Sequence, residues 1–138
     1  MYPSEQLVHD HPRIFSQLSY LEVADGWLPL VRLLCDNIQE LCDSDPDVEQ
    51  VVAGQVKQKF RGLRFYYHPC NDKVDALIDV AEALAYQTCE GCGATVSKDR
   101  EGGGYGQVAC AHCDAKWKEQ REKRRTALEV KKASDKTG

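Results

Sequence analysis

The chain has 138 residues, of which 42% are hydrophobic and 29% charged, a balance typical of a globular protein and unlike that of disordered or fibrous chains. This length allows one domain, or one small domain with an added module, around a modest core. No apolar run approaches the roughly 20 residues of a membrane span, and the N-terminus lacks the basic start and apolar stretch of a signal peptide, so we expect a cytoplasmic protein.

The net charge of −4 hides an uneven distribution. Residues 1–53 contain ten acidic and two basic side chains, whereas residues 114–138 contain five acidic and nine basic ones. The two ends could therefore meet different partners, or both could simply be solvated surfaces.

Residues 1–19 show weak periodicity and predict loose packing, with a short helix over HPRIFSQLSYL, residues 11–21.

The first strong structural pattern follows residue 26. From there on, apolar side chains recur at spacings of three and four residues, at Trp27, Leu30, Val31, Leu34, Ile38 and Leu41. This pattern predicts an amphipathic helix of about 15 residues.

A strand and a second helix are predicted next. Residues 49–60 fit a strand or a short helix equally well. In residues 62–68, GLRFYYH, apolar and polar side chains alternate, which predicts a half-buried strand that ends at Pro69. Residues 72–87, DKVDALIDVAEALAYQ, again have helical spacing and lead directly to Cys89.

The seven cysteines indicate a metal site. An odd number in a reducing compartment argues against a disulfide framework. Two Cys-x-x-Cys pairs are separated by 17 residues, a spacing typical of zinc sites. The predicted zinc ligands are Cys89, Cys92, Cys110 and Cys113. The other three, Cys35, Cys42 and Cys70, are predicted to be free, with Cys35 and Cys42 acting as small buried hydrophobic residues of the first helix.

The segment between the pairs predicts a finger. Strands over residues 94–97 and 107–109 would flank a loop over residues 98–106. Helix-forming sequence begins after Cys113, which favours a treble-clef finger, while a zinc ribbon with a third strand is the alternative. His112 is expected to point to solvent.

The predicted fold is therefore α+β, with two amphipathic helices and a short sheet followed by the finger and an exposed C-terminal helix. We divide the chain into an α+β core (1–87), a four-cysteine finger (88–120) and a basic helical tail (121–138). The tail is expected to fray into disorder over ASDKTG, residues 133–138.

Catalysis is not expected. Four cysteines close the zinc coordination shell, whereas a catalytic zinc keeps one position open. The interval between the pairs has no histidine or asparagine with which a treble-clef nuclease could activate water. No carboxylate pair or Ser-His-Asp set can be assembled, so the sequence predicts a protein that is not an enzyme.

Two groups of residues are candidates for surface contacts. Lys57, Lys59, Arg61 and Arg64 interleave with aromatic residues, as in binders of single-stranded nucleic acid, although core packing also explains the aromatic residues. Strand alternation leaves Arg64 and Tyr66 outside. The second group, Arg121, Arg124 and Arg125, lies in the basic helix.

The stretch GQVKQKFRGLRFYYH, the acidic helix after it and CEGCG together resemble a group of small proteins encoded by bacteriophages and prophages. Their shared core reads roughly Q-V-K-E-K-F-G-x-L-R-F-Y, then the helix, then C-x-x-C-G, and DGWLPLVRLLCDNIQ matches their G-W-x-x-L-I helix. The resemblance covers about residues 22–113, with Arg61 where a glycine is usual. It implies a phage origin, the cytoplasm of a bacterial host and a metal-stabilised fold, but no established activity.

These observations leave two main functional interpretations. The first is a non-enzymatic, zinc-binding phage accessory protein that binds and modulates or inhibits a host protein, and the acidic half could do this by imitating DNA phosphates. The alternative is a nucleic-acid-binding or transcription-associated zinc-finger protein, supported by the basic residues named above.

Overall fold

The computed structural model describes residues 1–97 and 106–136 of the chain. The fold is α+β, as predicted, and a 3-10 turn, Asp25–Trp27, leads into its longest core helix. In chain order the helices and strands are α1 (Pro3–Asp10), α2 (Leu28–Ser44), β1 (Val52–Lys59), β2 (Gly62–His68), α3 (Asp72–Ala85) and α4 (Ala111–Lys136).

The two predicted amphipathic helices, α2 and α3, pack against each other and contribute nine buried side chains to the core. Their apolar faces follow the spacing in the sequence, and the buried members are Leu28, Val31, Leu34, Cys35 and Ile38 of α2 and Val74, Ile78, Ala81 and Ala85 of α3. Each fully buried aliphatic side chain contributes about 1.5–3 kcal/mol. The side chain of Asn71 caps α3 by accepting hydrogen bonds from the N–H groups of Lys73 and Val74.

β1 and β2 form an antiparallel hairpin, which shows that residues 52–59 form a strand and not a short helix. Lys59 pairs with Gly62, so the turn consists of Phe60 and Arg61. Both have positive φ, 50° and 67°, the conformation of the two-residue turns that match the twist of a hairpin. Arg61 therefore adopts a conformation that favours glycine.

The N-terminal segment differs from the sequence-based expectation. The helix covers Pro3–Asp10 and not residues 11–21, because Pro12 disfavours a helical conformation at His11 and has no N–H of its own. The segment does not pack loosely either, since Leu7, Ile14 and Phe15 are at most 6% exposed.

His11 fixes this segment to α2. Its ring is 6% exposed, Nδ1 lies 2.8 Å from the carbonyl oxygen of Leu7, and Nε2 lies 2.6 Å from Oδ1 of Asp36. Asp10 adds an ion pair with Arg32 at 2.9 Å. The polar contacts of a buried ring thus join α1 and α2.

The segment between the cysteine pairs is less regular than predicted. In its described part, residues 94–97 and 107–109 form no regular strand. Thr95 makes an isolated antiparallel bridge with Thr88, and the N–H of Glu90 donates to the carbonyl of Val108 at 2.8 Å. These short segments use their backbone groups to hold the cysteine turn. The predicted loop lies outside the described residues except for Gly106.

The last helix, α4, begins at Ala111, between the two cysteines of the second pair, and extends to Lys136. It therefore includes residues 133–136 of the ASDKTG segment. The division at residues 87 and 120 stays a prediction. Within residues 1–97 and 106–136, no helix has the length and apolar character needed to cross a bilayer.

We predict that His11→Ala lowers the free energy of unfolding by about 1–3 kcal/mol, because it removes a buried ring whose two nitrogens make polar contacts with Leu7 and Asp36. His9→Ala is the matched control, since the His9 side chain is 70% exposed and exposed substitutions usually change stability by less than about 0.5 kcal/mol. Urea unfolding of both variants measures the difference. Equal midpoints would contradict the role assigned to His11.

Candidate metal centre

The first cysteine pair lies in a tight turn directly after α3. The N–H of Cys89 donates to the carbonyl oxygen of Ala94 at 2.8 Å, and the N–H of Gly93 donates to the carbonyl oxygen of Cys89 at 2.9 Å. The N–H of Gly91 donates to Sγ of Cys89 at 3.3 Å. Gly93 has a φ of +83°, which glycine adopts without steric cost. The sequence CEGCG thus provides the glycines that this turn requires.

The second pair lies at the start of α4. Cys110 precedes the helix and Cys113 is in its first turn. The N–H of Cys113 donates to Sγ of Cys110 at 3.4 Å, and the N–H of Asp114 donates to the carbonyl oxygen of Cys110 at 2.9 Å. A helix N-terminus favours negative charge, so this position stabilises thiolates. His112 is exposed, as expected.

The structure brings the four predicted ligands together. The sulfur atoms of Cys89, Cys92, Cys110 and Cys113 lie within 4.8 Å of one another, and Sγ of Cys92 is 3.7 Å from Sγ of Cys110. Four sulfurs around a tetrahedral ion with bonds of about 2.3 Å are about 3.8 Å apart. The cluster therefore fits a metal ion, and elsewhere in the described residues no group of three or more metal-ligating side chains gathers in this way.

Two of the four thiols, those of Cys89 and Cys113, have pKa values shifted in opposite directions. Burial, reinforced by the hydrogen bond with the Cys110 thiol, raises the pKa of Cys113 to about 12. Burial also opposes ionisation of Cys89, but backbone N–H groups, including that of Gly91, outweigh it and lower the pKa of this thiol to about 7. A divalent cation would favour the thiolate form of all four ligands, because it attracts each sulfur directly.

Gly26 attaches the first cysteine turn to the start of α2. Its N–H donates to the carbonyl oxygen of Glu90 at 2.8 Å, and a Cβ at this position would lie only 2.3 Å from the carbonyl oxygen of Cys89. Nearby, the indole N–H of the fully buried Trp27 donates to the carbonyl oxygen of Thr88 at 2.8 Å. The two backbones meet so closely that no side chain fits between them.

Glu90, between the first two ligands, connects this turn to the hairpin. Its side chain is 3% exposed and accepts hydrogen bonds from the N–H of Val108 at 2.5 Å and the amide of Gln58 at 3.3 Å. The Gln58 amide also donates to the carbonyl oxygen of Gly106 at 2.6 Å. Burial raises the pKa of Glu90, and the two hydrogen bonds oppose that rise.

Neither Gly26 nor Glu90 is predicted from the sequence to be part of the site. An acidic residue inside a Cys-x-x-Cys turn is expected to be solvated, and its partners lie 18 and 32 residues away. The sequence GW, with its glycine just before a buried tryptophan, indicates the start of α2 but not a contact with the first cysteine turn. Neither contact has a local sequence signal.

The three remaining cysteines lie apart from the cluster. Cys35 is fully buried in α2, where burial raises the pKa of its thiol to about 12. Cys42 packs at the edge of the core and donates to the carbonyl oxygen of Glu49 at 3.6 Å, whereas Cys70 is exposed.

Five of the predicted contact residues lie in the two strands of the hairpin or in its turn. Lys57 and Arg64 are register partners on β1 and β2, and Nζ of Lys57 lies 5.9 Å from the ring centroid of Tyr66. Tyr66 is 48% exposed, and Arg61 is in the turn. Lys59, at the end of β1, is exposed as well. Whether these side chains contact another molecule stays a prediction.

The predicted contact residues of α4 lie in a surface of mixed charge. Arg121 and Arg124 line an open groove that Glu22 and Glu90 also line. Arg125 is exposed and forms an ion pair with a glutamate three residues before it, at 3.8 Å. The arginines of α4 therefore lie in a surface that also contains carboxyl groups of the same chain, which reduces the local positive potential.

We predict that Gly26→Ala weakens metal binding about tenfold or more, equivalent to about 1.4 kcal/mol, because the added methyl group displaces the backbone of the first cysteine turn. Gly54→Ala is the matched control, since the nearest atom to its added Cβ is 3.7 Å away. Competition with a chromophoric chelator measures both affinities. If the two variants bind metal as tightly as the parent chain, the contact does not support the site.

No protein-family model, curated protein or solved structure matches this chain. Its function is therefore inferred from its own residues and their geometry.

Proposed function

We propose that this chain is a non-enzymatic zinc-binding protein that acts by binding another protein. The observation that carries the proposal is the cluster of four thiol sulfurs within 4.8 Å of one another. Four thiolates at tetrahedral separations are the donor set of structural zinc sites. Zinc binding would contribute roughly 10–16 kcal/mol to such a small unit near pH 7, far more than its short, irregular backbone segments gain by packing.

The finger is treble-clef-like in this proposal. The first pair lies in a tight turn that contains two glycines, and the second pair lies at the N-terminus of α4. A zinc ribbon would have a third strand in place of this helix. The position of α4 is thus the feature that favours the treble clef.

The zinc is structural and not catalytic in this proposal. Four thiolate ligands fill a tetrahedral shell and leave no position for water or substrate. The ion would hold the first cysteine turn against the start of α4, and the rest of the chain would provide the binding surface.

The partner that we propose is a protein of a bacterial host, which a phage accessory protein would modulate or inhibit in the host cytoplasm. Three features support this: the resemblance to phage-encoded proteins, the acidic N-terminal half, and grouped apolar side chains on the surface. Leu33 is 57% exposed, Val80 61% and Leu84 47%. Contiguous exposed apolar surface typically marks a site of protein contact.

Nucleic-acid binding is the second candidate, and a specific observation favours it. Lys57, Arg64 and Tyr66 share one side of the hairpin, which combines positive charge with an aromatic face on which a base can stack. Against it, Glu22 and Glu90 line the same groove as the α4 arginines, and the net charge is −4. Both features repel phosphates.

The zinc assignment predicts one zinc ion per chain. Cys110→Ser should lose most of this zinc and unfold the finger, because three thiolates no longer complete the shell. The matched control is the triple variant Cys35→Ala, Cys42→Ala and Cys70→Ala, which should keep one zinc. Elemental analysis of the purified wild type and both variants measures the number of zinc ions per chain. Iron in place of zinc, no metal, or full zinc retention in Cys110→Ser would contradict the assignment.

The protein-binding proposal predicts that the zinc-loaded chain captures a bacterial protein from lysate, with or without nuclease, and binds it directly after purification. Nucleic-acid binding predicts that nuclease abolishes the capture of the bacterial protein. It also predicts that the logarithm of the affinity for duplex DNA falls linearly with the logarithm of the salt concentration, with a slope of about −0.9 per phosphate contacted. The variant Arg121→Ala, Arg124→Ala, Arg125→Ala should then flatten that slope. A charge-matched control removes three positive charges outside α4 and should leave the slope unchanged; it is the triple variant Arg13→Ala, Arg32→Ala, Lys73→Ala. Nuclease-sensitive capture would replace the first proposal by the second.

A further inference from the structure

The hairpin of β1 and β2 presents one basic side to solvent. Lys57 and Arg64 are register partners in the antiparallel pair, so their side chains leave the sheet on the same side. Because side chains alternate along a strand, Lys59 and Tyr66 lie on that side too. All four are at least partly exposed, whereas Phe65, on the opposite side, is buried. We call the surface formed by Lys57, Lys59, Arg64 and Tyr66 the outer hairpin face.

The cations of this face have no anionic partner within residues 1–97 and 106–136, where every ion pair lies elsewhere. Glu22 forms an isolated bridge with Lys57, but its carboxylate accepts a hydrogen bond from the amide of Gln55 at 2.8 Å. Lys57 and Arg64 stand directly opposite each other, and like charges in such positions destabilise a hairpin. An anion supplied by another molecule would remove this repulsion.

Tyr66 adds an aromatic ring to the outer hairpin face. The residue is 48% exposed, and Nζ of Lys57 lies 5.9 Å from its ring centroid, within the range of a cation–π contact. The ammonium group occupies one face of the ring, so a base could stack there only by displacing it. The Tyr66 hydroxyl makes no hydrogen bond within the described residues and is able to donate one. The surroundings of the ring therefore suit a carboxylate better than a stacked base.

Carboxylates on both sides of the outer hairpin face limit the size of the anion that it can receive. Glu22 lies beside β1, and Glu82 of α3 lies within electrostatic range of Arg64 without forming an ion pair. A long nucleic-acid strand would have to pass these carboxylates, which repel its phosphates. Between them, Lys57 and Lys59 are two positions apart on one strand, about 7 Å. This distance suits a few carboxylates of a short segment.

We propose that the outer hairpin face is a docking surface for a short acidic segment of the partner protein. One carboxylate of that segment lies against the opposed pair Lys57 and Arg64, and another lies against Lys59. This inference rests on the proposed protein-binding function and assigns it a surface and a partner chemistry. Single-stranded nucleic acid is the competing occupant, and the test includes it.

The test uses the full, zinc-loaded chain and a fluorescent peptide of about nine residues with glutamates at alternate positions, which places carboxylates about 7 Å apart on one side of an extended chain. We expect saturable binding by fluorescence polarisation, about tenfold tighter than that of the same peptide with glutamines in place of the glutamates. Added salt should weaken it, because the contacts are exposed charges. Equal binding of the two peptides would overturn the proposal.

A fluorescent oligothymidylate of about nine nucleotides is the third probe, because it offers phosphates and bases without a folded partner. We expect it to bind more weakly than the glutamate peptide. Tighter binding of the oligothymidylate would overturn the proposal and assign the outer hairpin face to single-stranded nucleic acid.

A double variant locates the site. Lys57→Gln with Arg64→Gln should weaken binding of the glutamate peptide about tenfold or more. The matched control, Lys123→Gln with Arg125→Gln, removes two cations that already pair with glutamates of α4 and should leave the affinity unchanged. Equal peptide affinity in the hairpin variant and the wild type would overturn the proposal.

Urea unfolding of the same hairpin variant separates a binding role from a structural one. Its midpoint should be equal to that of the wild type or higher, because the substitutions remove like charges from opposite positions of the hairpin. Loss of peptide binding together with a lower midpoint would overturn the proposal, since the two cations would then stabilise the fold itself.

The outcomes also separate this inference from the function on which it rests. A host protein captured equally by the wild type and by Lys57→Gln with Arg64→Gln would retain the protein-binding function and overturn the outer hairpin face as its docking surface. Selective binding of the glutamate peptide with no host protein captured would support the face as a receptor for acidic segments and overturn the proposed function. Loss of both the peptide and the purified host protein in the hairpin variant alone would support both.

Discussion

Four thiol groups within 4.8 Å of one another are the constraint on which the C-terminal part of the fold depends. Burial holds the pKa of one of them, Cys113, near 12, while backbone N–H groups lower that of Cys89 to about 7. Four such groups in one place are stable as thiolates only around a cation. The hydrogen bonds of Glu90 with Val108 also join the first cysteine turn to the segment just before α4, so the four-cysteine cluster and one buried carboxylate together position the start of α4.

The four-cysteine cluster is at the same time part of the core to which α2 and α3 contribute. Cys89 is fully buried among core residues, and Gly26 brings the backbone before α2 into direct contact with the first cysteine turn. The end of α3 therefore leads the chain into a turn that the start of α2 already supports. In the account proposed above, zinc stabilises one end of this α2–α3 unit.

The sequence predicted the elements whose burial follows a local repeat. The spacing of apolar residues predicted α2 and α3, and strand alternation predicted β2, with Phe65 buried and Tyr66 exposed. The cysteine spacing predicted which four thiols meet.

The sequence did not predict α1, because the signal there was Pro12 ending a short helix and not a periodic pattern of apolar residues. Nor could it predict Gly26 or Glu90, whose contacts join segments far apart in the chain. The expected finger strands were wrong because their backbone groups bond to the cysteine turn and not to each other.

The central claim is that one zinc ion is held by four thiolates. X-ray absorption spectroscopy of the purified, full-length chain at the zinc edge tests it most directly, since it reports the number, type and distance of the atoms bound to the metal. The account predicts four sulfur atoms at about 2.3 Å and no nitrogen or oxygen ligand. A shell that contains nitrogen or oxygen atoms at about 2.0–2.2 Å in place of a sulfur would contradict it, because the site would then be open to water or substrate.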